Sequence, residues 1–290
     1  MPAPQLGLVP LNRLLLILCA MPLLLFSPRV SAELPKDVAV HQDIAYGADP
    51  AQRIDVYLPP KPSHAPILFM VHGGGWRRGD KDNTGVVDNK VARWVPKGII
   101  FVSVDYRMMP DAEPLTQAED VARALAKVQE LAPGWGGDPA NIILMGHSAG
   151  AHLVALVTAA PEIAAGQGAK PWKGSVLLDS GAMDVPAIMN ARHWPLYDKA
   201  FGSDPAKWEA ASPFHRLAGP TLPMLAVCRE RGNESCPANQ AFALKAAKLG
   251  GNVDVLPMAL SHGEINMQLG LPGAYTERVE EFMRGLGWKL

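Results

Sequence analysis

Residues 141–156 read "NIILMGHSAGAHLVAL", and the place of Ser148 within them decides the architecture. "NIILM" is a short continuous apolar run of the kind that forms a strand covered on both faces, and "AHLVALVTAA" has helical spacing. Ser148 therefore falls on a strand-to-helix turn, between Gly146 and Gly150. Such a turn holds the backbone in a strained geometry that exposes the hydroxyl, and the start of the helix favours negative charge developing nearby. A G-x-S-x-G pentapeptide alone is a weak signal. In this context it marks Ser148 as a candidate nucleophile.

The same alternation extends outward in both directions. Apolar runs recur at "PILFMVH", "GIIFVSVDY", "GSVLLDSG", "LPMLAVC" and "NVDVLPM", separated by helical patterns such as "LTQAEDVARALAKVQELA", "ANQAFALKAAKLG" and "AYTERVEEFMRGLGW". Strands alternating with helices imply right-handed crossovers and an α/β fold with a mostly parallel, doubly wound sheet. Before them, "VHQDIAYG" and "QRIDVYLPP" show the alternation of an antiparallel hairpin, with "ADPAQ" as its turn. One segment breaks the rhythm. Residues 183–217 carry Trp194, Tyr197, Phe201, Trp208 and Phe214 among several prolines, with no strand pattern, and are expected to form a small cap insertion that shapes a pocket.

The first 32 residues stand apart from this domain. Asn12 and Arg13 precede "LLLILCAMPLLLF", and "VSA" ending at Ala32 suits a signal-peptidase site, so residues 1–32 read as a secretory signal and 33–290 as the mature domain. The apolar run, interrupted by Pro22, falls short of the roughly 20 residues that span a bilayer, so no stable membrane anchor is expected. Leu18 before Cys19 does not suit lipoprotein processing. The expected location is secreted, in the periplasm. Cys228 and Cys236 are then an even pair in an oxidising compartment and are expected to form a disulfide. A formal net charge of −1, with both signs scattered and no basic stripe, excludes a nucleic-acid footprint.

A serine needs a base to take its proton. His262 is the best placed of the histidines, because "NVDVLPMAL" reads as the last strand and "SHGEIN" follows it, at the edge where open α/β sheets gather their chemistry. His152 and His215 stand behind it as candidates. The run "VHGGGWRRGD" follows the strand "PILFM", and its glycines let backbone N–H groups approach a small anion. Gly74 and Gly75, with the N–H of Ala149, are assigned to an oxyanion hole. The spacing of a phosphate-binding loop is absent.

"HGGGW", "DYR" at Asp105 to Arg107, "GHSAGAH" and a late histidine together resemble the α/β-hydrolase superfamily, within it the serine carboxylesterases of hormone-sensitive-lipase-like and kynurenine-formamidase-like type. The resemblance covers nearly all of the mature chain. It implies Ser148 as nucleophile, His262 as base, the "HGGGW" glycines as oxyanion hole, and no cofactor or metal. It also implies an acid in the loop after the penultimate strand, usually Asp, where "LAVCRERGNESCPANQAF" offers only Glu230 and Glu234. Glu234 is the expected acid, Glu230 the alternative, with Asp254 and Asp184 behind them. The expected activity is hydrolysis of small carboxylic esters through an acyl-enzyme. Arylformamidase activity and a catalytically inactive binding protein are the alternatives.

Overall fold

A computed structural model of the chain describes residues 1–2, 35–231 and 235–290. All but the first two residues of the expected leader, and Glu234, lie outside the described residues. In chain order the elements are β1 (Ala39–Ala45), β2 (Arg53–Leu58), β3 (Ala65–Val71), α1 (Thr84–Trp94), β4 (Ile100–Val104), α2 (Pro114–Leu131), β5 (Gly137–His147) and α3 (Ala149–Ala159). There follow α4 (Pro161–Gly166), β6 (Gly174–Leu178), α5 (Val185–Met189), α6 (Pro195–Phe201), α7 (Pro205–Ala210), α8 (Pro213–Arg216) and β7 (Met224–Arg229). The last four are α9 (Ser235–Lys248), β8 (Val253–Met258), α10 (His262–Met267) and α11 (Ala274–Gly285).

The strands form one sheet in the order β1-β2-β4-β3-β5-β6-β7-β8. β1 and β2 make the expected antiparallel hairpin, β2 joins β4 antiparallel, and every later pairing is parallel. Successive side chains of a strand point to opposite faces, so a strand covered on both sides must be apolar throughout. β3 shows this directly. Ile67, Phe69 and Val71 pack into the layer that holds α2 and α3, whereas Leu68 and Met70 pack into the layer of α1 and α11. Burying side chains of this size contributes about 1.5–3 kcal/mol each, and the sheet is thereby fixed from both faces.

Residues 183–217 are more regular than their sequence suggests. They fold as the four short helices α5 to α8, and each has a proline at its first or second position. Proline is suited to that position because its missing N–H would have had no helical partner there and its φ is already helical. The prolines that obscure the periodicity are therefore the helix starts. Among the described residues no helix is long and apolar enough to cross a membrane.

Sheet register brings three chain segments to one edge. His147 pairs with Leu178, and Leu178 with Val227, so β5 and β6 end side by side and release Ser148 and Asp179 next to each other. Arg229 pairs with Met258 at the end of β8, and His262 follows four residues beyond, as the first residue of α10.

Candidate active site

Ser148 stands between β5 and α3 with φ 56° and ψ −118°, a region that residues with a Cβ seldom occupy. Its N–H donates to Leu178 O (2.8 Å) and its carbonyl accepts from His152 N (3.1 Å), so both neighbouring elements hold the turn. Gly150 is required by close packing. A Cβ there would lie 2.3 Å from Val71 O and 2.4 Å from His72 O, which are backbone atoms that cannot swing away. This contact seats the start of α3 against β3 and keeps the serine at the sheet edge.

The "HGGGW" loop leaves β3 beside this turn. Gly74 has φ 126°, and a Cβ on it would meet the Arg78 carbonyl oxygen at 1.8 Å, so only glycine allows the loop to fold back on itself. His72 donates from Nδ1 to Gly73 O (2.7 Å) and stacks on Tyr106 at 4.5 Å. The Trp76 carbonyl accepts from Met109 N and from Gln117 Nε2, each at 2.8 Å. The loop is thus held from below. The N–H groups of Gly74, Gly75 and Ala149 engage no acceptor among the described residues, and all three residues line a cleft of about 920 Å³ together with Ser148, Asp179 and His262.

His262 is held by a carboxylate, and that carboxylate is Asp179. Its Oδ2 accepts from His262 Nδ1 at 2.7 Å, which leaves Nε2 as the nitrogen free for a proton-accepting role. Oδ1 accepts from Ser235 Oγ (2.6 Å) and from Arg229 N (3.0 Å), and Arg229 Nε lies 2.9 Å from Oδ2. Burial alone would raise the Asp179 pKa. The hydrogen bonds from His262, Ser235 and the Arg229 backbone outweigh it and hold the carboxyl below its ordinary value. Where the sequence led to Glu234, with Glu230 as alternative, the described residues bring Asp179 to the imidazole. Glu234 lies outside the described residues, and Glu230 donates its backbone N–H to Met258 O while its side chain makes no bond to His262. β6 is the immediate neighbour of the serine strand, and Asp179, its first residue beyond the sheet, already faces the site.

Two further histidines are structural supports. His147 donates from Nε2 to the His262 carbonyl (3.0 Å), and burial together with the nearby His262 lowers its pKa to about 3. His152 is fully buried, accepts from Trp76 Nε1 (3.2 Å) and donates to Ala211 O (2.7 Å), with burial lowering its pKa to about 4. Both nitrogens of His152 are used, so it ties the glycine loop to residues 183–217. His215 pairs with Ser212 Oγ and Asp184, away from the cleft. Trp194, Leu196 and Tyr197 supply the wall that residues 183–217 contribute to the cleft.

Cys228 and Cys236 form a disulfide, with Cα atoms 5.0 Å apart. The loop it closes contains Arg229 and Ser235, the two residues that donate to Asp179 Oδ1. No cluster of His, Cys, Asp and Glu suited to a metal occurs among the described residues.

Comparison with known proteins covers the chain unevenly. The BD-FAE family profile matches residues 54–168, which include the glycine loop and Ser148 but neither Asp179 nor His262. The probable isoprenylcysteine alpha-carbonyl methylesterase ICME of Oryza sativa subsp. japonica is 35% identical over 117 residues, 40% of this chain and 28% of that protein. Kynurenine formamidase of Danio rerio is 34% identical over 116 residues, 40% of this chain and 37% of that protein. The match therefore spans well under half the length of these relatives. Among solved structures, esterase B from Lactobacillus rhamnosis superposes with a TM-score of 0.71 over 88% of this chain and 87% of that one, at 20% identity. The sheet is shared over nearly the whole chain, so the protein has the fold of this esterase, and the stretch of sequence similar to the methylesterase and the formamidase runs through its glycine loop and serine turn.

Proposed function

We propose that the protein is a serine carboxylesterase acting on small carboxylic esters. The observation that carries this reading is the Asp179–His262 pair at the cleft that Ser148 enters from a strained turn. His262 Nε2 takes the Ser148 proton as Oγ attacks the ester carbonyl carbon. The carbonyl oxygen becomes an oxyanion that receives the N–H groups of Gly74, Gly75 and Ala149. The tetrahedral species collapses, the C–O bond to the alcohol breaks, and His262 returns the proton to the departing alkoxide. Water, deprotonated by His262 in turn, attacks the acyl carbon, the bond from that carbon to Ser148 Oγ breaks, and His262 returns the proton to Oγ as the carboxylic acid leaves. Asp179 keeps the imidazole in the tautomer with hydrogen on Nδ1 and stabilises the imidazolium as it forms.

Turnover of p-nitrophenyl acetate by the purified protein, lost in Ser148→Ala, with fluorophosphonate labelling at Ser148 alone, is the expected outcome. No turnover and no labelling of the intact protein would leave a binding role instead. The similarity to a formamidase favours amide hydrolysis of N-formylkynurenine type as the second reading, and the same Ser148→Ala comparison on that substrate tests it. The reading also has the protein exported to the periplasm. Support comes from the charged, apolar and small-residue order of residues 1–32 and from the Cys228–Cys236 bond, and N-terminal sequencing of the exported form should begin at Glu33.

A further inference from the structure

The cleft around Ser148 is lined by three arginines, Arg77, Arg78 and Arg229, and by one carboxylate, Asp179. That carboxylate is fully buried, bonded to His262, and already faces Arg229 at 2.9 Å. Arg77 and Arg78 are exposed and have no carboxylate within ion-pair distance among the described residues. Elsewhere on the chain Arg93, Arg107, Arg216 and Arg278 each sit on a carboxylate, even where they are largely exposed. Asp80 and Asp82 follow on the same loop, but they do not line the cleft and Asp80 instead accepts from the Asp82 backbone.

The two arginines are also held close to the reacting centre. Arg77 N donates to Gly74 O at 3.4 Å, and a Cβ on Gly74 would lie 3.3 Å from Arg78 Cγ, so the Arg78 stem packs against the glycine that offers its N–H to the oxyanion. The same cleft is lined by Trp194, 72% exposed, and by Leu196, whose Cδ1 lies 3.9 Å from where a Cβ on Gly75 would be. Leu196 is carried on α6 and Trp194 caps its start, and the helix is anchored by Phe201 and Tyr197 against Trp76 at ring separations of 5.0 and 5.9 Å. Among the described residues the cleft thus presents two guanidinium groups with no carboxylate partner, together with an apolar wall held on Trp76. A cleft lined by one sign of charge concentrates ligands of the opposite sign, and guanidinium matches the planar geometry of a carboxylate.

We propose that the ester hydrolysed at Ser148 carries a second, non-reacting carboxylate, received by Arg77 and Arg78, with the remainder of the molecule against Trp194 and Leu196. This inference rests on the esterase reading above. The carboxylate belongs either to the acyl part or to the alcohol part, within an arginine side chain's reach of the scissile carbonyl.

Two pairs of probes, each differing only in carboxylate against carboxamide, test it. Monobenzyl succinate is compared with benzyl succinamate for an acyl-side anion, and 4-acetoxybenzoate with 4-acetoxybenzamide for an alcohol-side anion, each kcat/KM being divided by the ester's own alkaline hydrolysis rate. Exposed ion pairs are individually weak, so the anionic member of one pair should be favoured about fivefold to twentyfold at low salt. The preference should fall towards one in 0.5 M salt and in the Arg77→Gln/Arg78→Gln double variant, and the pair that shows it identifies the side on which the anion lies. Hydrolysis of the neutral members with no anionic preference in either pair would overturn the anion site while leaving the esterase reading intact. A preference that persists undiminished in the double variant would overturn the assignment to Arg77 and Arg78. No turnover of any of the four esters would overturn both readings.

Discussion

Asp179 and His262, 83 residues apart in sequence, meet through a 2.7 Å hydrogen bond from Nδ1 to Oδ2 at the edge of the sheet. The fold creates this pair by placing β6 between the serine strand β5 and β7, so that an acid at the end of β6 faces an imidazole arriving from beyond β8. The first consequence is kinetic. Asp179→Asn should lower kcat on p-nitrophenyl acetate by about 10⁴-fold, since an amide in that place stabilises the wrong imidazole tautomer. Glu230→Gln and Glu234→Gln should each stay within a few-fold of the parent. A large loss in Glu234→Gln with little loss in Asp179→Asn would reverse the assignment.

The disulfide acts on the same acid from a distance. It closes a short loop whose two ends, Arg229 and Ser235, supply the donors to Asp179 Oδ1. Cys228→Ser/Cys236→Ser should lose on the order of 2–3 kcal/mol of stability in urea titration, as loop-closure entropy predicts for so short a loop. The variant should also lower kcat several-fold while the circular dichroism of the folded state is unchanged. Ser235→Ala should reproduce part of the kcat loss with little change in melting temperature.

Acid should destabilise the fold well before the carboxylates titrate. Burial holds the pKa of His152 near 4 and that of His147 near 3, against 6.5 for the unperturbed group. The unfolded chain therefore takes up protons as pH falls through 6.5, and the folded chain does so only near 4 and below. Stability is complete above about pH 6.5 and is lost as pH falls towards 4, with His152 alone contributing on the order of 3 kcal/mol. The ion pairs of Glu280, whose pKa is lowered to about 2 because the Arg93 and Lys97 hydrogen bonds outweigh its burial, fail only in a lower window, from 4.5 downward. Urea midpoints between pH 8 and 4.5 should fall in the parent and fall less steeply in His152→Gln.

Gly150→Ala should be severely damaging although it adds one methyl group. That methyl would lie 2.3 Å from Val71 O, so either α3 or β3 must move, and both carry the site. Low soluble yield, or a folded protein with kcat reduced by at least about 100-fold, is expected. Near-normal activity and stability would show that the turn is held less tightly than this packing requires.

Local patterns in the chain were enough for much of the fold. Continuous apolar runs mark the buried strands, the glycines around Ser148 mark the turn, and the pairing of Cys228 with Cys236 follows from their number. His262 was legible because it sits just past a strand end, where side chains reach the site without crossing the sheet. Asp179 carries that same signal, as the residue after "GSVLL", but nothing local ranks it above a glutamate after the next strand. Strand order is the reason. Which strand lies beside β5 depends on long-range pairing, and only that pairing decides whether the end of β6 or the end of β7 faces His262. The helices α5 to α8 were hidden for a related reason, because each is too short to show a period and is held by packing on the core, as Phe201 is against Trp76. Types of side chain and local backbone preferences are written along the chain. The choice among several similar groups is made by the register of the folded sheet, which sets Asp179 at the end of β6 within hydrogen-bond reach of the imidazole.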